Sequence, residues 1–79
     1  MDKKGEEFVA MLTTDIALEA QAIKMYNEAA NVCAQEKDMI SKQLFEKLLS
    51  EEEGHLNEFE NIKDHVEKLG SAYIATLAG

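Results

Sequence analysis

Two glutamates and a histidine in this 79-residue chain stand where apolar side chains are expected. Leu12, Ile16, Ile23, Tyr26, Ala30 and Cys33 recur at spacings of four and three once Glu19 is counted among them. Ser41, Phe45, Leu48, Phe59, Ile62, Val66 and Leu69 do the same once Glu52 and His55 are counted. Such a row is the buried seam of a helix packed alongside its neighbours. A charged group in a seam loses its hydration at a cost of several kcal/mol, so it is normally paired or bound to metal. His55 follows Glu52 by three residues, which puts both on one helix face. Carboxylate and imidazole donors together suit Fe, Mn or Zn, and ligand type alone does not choose among them. The alternative role for the same three residues is a buried polar network that fixes packing register.

The elements that must position these residues follow from the same rows. The seams predict a helix over about residues 6–34, a second over about 39–69 and a short third over about 71–77 with Tyr73, Ile74 and Leu77 as its apolar face. The polar segment Gln35-Glu36-Lys37-Asp38 connects the long helices, Asp38 is placed to cap the second, and Gly70 to stop it. So short a connection makes an antiparallel hairpin. Glu19 and Glu52 each lie about 16 residues, or about 25 Å, from the turn, and therefore at the same height. One hairpin supplies Glu19, Glu52 and His55, which is half a site for two ions. A two-fold dimer supplies four carboxylates and two imidazoles, and two divalent ions would cancel the four carboxylate charges. Without metal, the carboxylates would repel one another and some would take up protons.

Composition agrees with a small helical domain that needs a partner. The chain has no proline, four glycines and 46% hydrophobic residues, too apolar for a disordered acidic tail. Below about 80 residues a core is worth roughly 3–5 kcal/mol and is usually reinforced by disulfides, metal or self-association. A single cysteine, Cys33, removes the intrachain disulfide and points to a reducing compartment, the cytoplasm. A net charge of -8 argues against nucleic acid and against an anionic membrane surface. No apolar run is long enough to span a membrane, and the polar start does not read as a signal peptide. The expectation is an all-α fold: one domain over residues 1–79, a hairpin plus a short C-terminal helix, dimerising into a four-helix bundle. A monomer would leave an unusually exposed apolar stripe.

On its residues the chain resembles the second half of bacterioferritin, within the ferritin-like superfamily, and more distantly rubrerythrin. The resemblance is carried by Asp15-Ile-Ala-Leu-Glu19, by the run from Ser41 to Glu60 that contains Glu51-Glu52-Glu53-Gly-His55, and by Lys68-Leu-Gly-Ser-Ala-Tyr73. It covers roughly residues 12–75 and implies a carboxylate-bridged di-iron centre that oxidises Fe(II) with dioxygen or peroxide. By position it makes Glu19 a terminal ligand, Glu52 a bridging ligand and His55 a terminal imidazole, with two Fe per dimer and Mn or Zn as other occupants. Tyr26, seven residues after Glu19, matches a tyrosine that hydrogen-bonds a ligand glutamate of a neighbouring helix in that family. In that family the haem is held by a methionine directly after the glutamate of the first Glu-x-x-His motif; the equivalent place here is Glu53, so the resemblance implies no haem of that kind. With two long helices rather than four, the centre would form across a homodimer, with further assembly open. Other functions compatible with the residues are a rubrerythrin-like peroxide-reducing centre and a non-catalytic self-associating helical module.

The remaining candidates have ordinary readings. Tyr26 is equally compatible with a core tyrosine, and Cys33 with a small buried hydrophobe. His65 lies one place off the second seam and reads as a surface residue. Glu51 and Glu53 point to other faces than Glu52, while Glu53, Asp15 or Glu58 could raise local cation concentration. Met11, Met25 and Met39 read as gap-filling apolar residues.

Overall fold

The computed structural model describes residues 1–78, which form three α-helices: α1 Lys3–Gln35, α2 Met39–Leu69 and α3 Ser71–Ala78. No strand occurs among the described residues. α1 and α2 pack against one another as a long hairpin whose greatest extent is 52 Å, and α3 folds back on its open end.

α1 starts earlier than the seam alone predicts, because Asp2 caps it. The Asp2 carboxylate accepts a hydrogen bond from the Gly5 N–H at 2.8 Å and a second from the Ser71 hydroxyl. One side chain thus ties the start of α1 to the start of α3. At the other end of α1, the Asp38 N–H donates to the Cys33 carbonyl at 2.8 Å and the Lys37 N–H to the Ala34 carbonyl at 3.1 Å. This is the paired closure of a Schellman turn, which requires a left-handed residue. Lys37 is that residue, with φ 61°. Asp38 then caps α2, accepting from the Ser41 N–H at 3.1 Å. Gly70 ends α2 with φ 66°, a conformation open to glycine at little cost.

The interior is thin. Leu12, Ala30 and Val66 are the buried hydrophobic side chains, and Val66 is fully enclosed. Most other seam residues are half-buried, since each helix has cover on one side only. Several expectations are corrected here. His55 and Leu69, placed in the second seam, are exposed, and Leu77 on α3 is exposed while Tyr73 and Ile74 are half-buried. Met11, Met25 and Met39 fill no gap in the hairpin; all three are more than half exposed. The physical reason is common to them: two helices cover an arc too narrow to reach these positions. His65 is exposed as expected, but its ring also stacks on Tyr73 with centroids 5.0 Å apart, and so helps seat α3. No described helix is long and apolar enough to cross a membrane.

Candidate metal centre

Glu19 comes from the middle of α1, Glu52 and His55 from the middle of α2. The equal arm lengths of the hairpin bring them level. One oxygen of each carboxylate and one imidazole nitrogen lie within 4.8 Å of one another. Within α2, His55 Nδ1 stands 3.9 Å from Glu52 Oε2, as residues three apart on a helix should.

The three groups differ in cover. Glu19 is half-buried, and its Oε2 is shut off from solvent with no hydrogen-bond partner. Glu52 keeps 20% of its side chain accessible, and His55 keeps 57%. The cluster is therefore closed on the α1 side and open beyond His55. A buried carboxylate oxygen without a donor is an unfavourable arrangement unless something electropositive faces it. A divalent cation meets that need, and two carboxylates with an imidazole are a donor set such ions accept. The residues present therefore fit a metal.

Tyr26 lies two helical turns beyond Glu19 toward the turn, with its ring tilted against Phe45 at a centroid separation of 6.3 Å. Asp15, one turn before Glu19, is half-buried, whereas Glu51, Glu53 and Glu58 are exposed. Cys33 is a half-buried free thiol. One further row near the centre lies outside both seams: Met11, Leu18, Met25 and Val32, seven residues apart and all exposed. Their spacing was the available signal.

A helical hairpin that holds Glu and Glu-x-x-His at one level defines a carboxylate–imidazole helical protein. Comparison with known proteins identifies the lineage: the chain belongs to the family of ferritin-like domains, whose model matches residues 2–69. It is similar to bacterioferritin from Desulfovibrio desulfuricans, with 33% identity over 75 residues, 95% of this chain and 42% of that protein. It is similar to bacterioferritin from Rhodobacter capsulatus, with 39% identity over 73 residues, 92% of this chain and 45% of that protein. The match to bacterioferritin from Brucella melitensis is 36% identical over 66 residues, 84% of this chain and 41% of that protein. The chain thus spans less than half the length of these relatives. No solved structure matches it.

Proposed function

We propose that two copies of this chain form a di-iron centre that binds Fe(II) and oxidises it to Fe(III). Glu19, Glu52 and His55 of each copy hold the ions, with Glu19 and His55 as terminal ligands and Glu52 between them. The convergence of these three side chains, with one Glu19 oxygen buried and unpartnered, carries this assignment. Similarity to the bacterioferritins supports the choice of iron. Fe(II) is the substrate: two ions release two electrons, which with two protons reduce one dioxygen to hydrogen peroxide.

The protein's own groups bind, neutralise and orient. Four carboxylates in the dimer balance the charge of two ferrous ions, so the cations enter a weakly polar interior without a net charge. His55 gives a neutral nitrogen donor, and its exposure in the single chain leaves it free to turn toward an ion. Tyr26 would donate its hydroxyl to a ligand glutamate of the second copy. Haem has no part in the proposed centre, since Glu53 stands at the equivalent of the residue after the glutamate of the family's first Glu-x-x-His motif, where a methionine holds haem.

Iron oxidation followed by absorbance tests the assignment. Glu52→Ala should lower the initial rate by at least about tenfold, as expected for a lost metal ligand, with the helical circular dichroism unchanged. Wild-type oxidation rates in that variant would refute it. Faster oxidation by peroxide than by dioxygen in the native chain would favour the rubrerythrin-like reaction at the same residues.

A further inference from the structure

The exposed row Met11, Leu18, Met25 and Val32 repeats every seven residues, close to two helical turns, and so forms one apolar stripe along α1. It sits about 100° around the helix from the row Leu12, Glu19, Tyr26 and Cys33 that faces α2. That is near the quarter turn separating the two neighbours of a helix in a four-helix bundle. A long apolar stripe left open in a small acidic protein marks a contact surface.

We propose that this stripe is the homodimer seam: α1 of one copy lies antiparallel on α1 of a second, across a two-fold axis at the level of Leu18. The proposal rests on the dimeric centre described above and specifies how its halves meet. Three observations choose the occupant and its pose. First, the stripe matches itself, as an isologous contact requires. α2 offers no equivalent, since Leu44, Glu51, Glu58 and His65 at the same spacing are mostly polar or charged. Second, each copy carries a net charge of -8, so two copies repel and should meet where charge is sparsest. Between Met11 and Cys33 the charged residues are Asp15, Glu19, Lys24 and Glu28, while α2 is dense in them. Third, the three donors lie together but the cluster is open beyond His55, whose side chain is 57% accessible, so a second hairpin laid alongside can bring its own donors to the same level.

The register follows from the direction of side chains on a helix, which lean toward its N-terminus. With the axis at Leu18, the two Glu19 backbones are about 3 Å apart along the helices and their carboxylates lean past each other into one cluster. Sliding to the pose that pairs Leu18 with Met25 of the second copy separates those backbones by about 7.5 Å and makes the carboxylates lean apart. Only the first pose lets the glutamates share a pair of ions. Met11 then packs on Met25 of the second copy.

Disulfide trapping in a Cys33→Ser background tests this with glutathione disulfide as oxidant. Facing Cα atoms of helices packed about 8–10 Å apart lie roughly 4–6 Å apart, within disulfide reach. Leu18→Cys should give a covalent dimer for most of the protein, reversed by dithiothreitol. Met25→Cys, equally exposed but about 21 Å from its own equivalent along the seam, should give none; Met11→Cys combined with Met25→Cys should restore it. Leu18→Arg should lower the solution mass to that of a monomer with unchanged helical dichroism. A native dimer holding two irons in which Leu18→Cys fails to cross-link would overturn this seam and leave the metal centre standing. Crosslinking of Met25→Cys alone would overturn the register. A native chain that remains monomeric with iron would overturn both seam and centre.

Discussion

Glu19 is the residue at which stability and chemistry conflict most directly. Its buried oxygen has no hydrogen-bond donor in the hairpin, and an unsatisfied buried acceptor costs about 1–3 kcal/mol. Glu19→Leu should therefore raise the metal-free unfolding free energy by about 1–2 kcal/mol while removing iron binding. Thermal melts in a chelator check the first part, and a less stable variant would contradict it. The three residues proposed as ligands were legible in the sequence because a charge inside an apolar row is visible without coordinates. Their level placement was legible too, since Glu19 and Glu52 are equidistant from a short polar segment. The exposure of His55 was not. A seam position shows that a side chain faces some neighbour, and says nothing about whether that neighbour belongs to the same copy.

At the scale of the helices, the hairpin depends on few fully buried contacts and on its caps. Leu12 is 4% exposed, and Leu12→Ala should cost about 2–4 kcal/mol by lost burial and the cavity left behind, read from denaturant unfolding. The carboxyls of Asp2 and Asp38 are held below the ordinary carboxylate range: Asp2 by the Ser71 hydroxyl and then the Gly5 N–H, Asp38 by Ser41 through its side chain and then its N–H. A depressed folded-state pKa stabilises the fold above the unfolded value and is lost as pH falls through the folded one. Helix content should therefore decline from about pH 4 downward, and Asp2→Asn with Asp38→Asn should flatten that part of the acid transition. Lys37 adopts the left-handed conformation that glycine takes at less cost. Lys37→Gly should stabilise the turn by up to about 1 kcal/mol, whereas Lys37→Val should destabilise it. The two long helices and the Asp38 cap could be read from periodicity and residue type. The Asp2–Ser71 link could not, because it joins residues far apart in sequence whose meeting depends on how α3 folds back. The Met11, Leu18, Met25 and Val32 row was legible as a seven-residue repeat, but its exposure was not, because that depends on which arc of α1 the hairpin covers.

The whole chain is less than half the length of the bacterioferritins it resembles, and its hairpin leaves an apolar stripe and a cluster of donors uncovered. Both are accounted for if the working unit is two copies joined around metal. Metal binding to the folded form alone should then stabilise it by mass action, by about 2.7 kcal/mol at a free metal concentration 100 times Kd. Melting that is indifferent to Fe(II), Mn(II) and Zn(II) would favour a self-associating module whose polar residues only set register. The most direct test of the central claim joins composition to mass: iron per chain after anaerobic Fe(II) loading, measured with the molar mass in solution. One iron per chain is expected in a particle of at least two chains, falling together on Glu52→Ala. A loaded monomer, or a dimer holding well under one iron per chain, would contradict it.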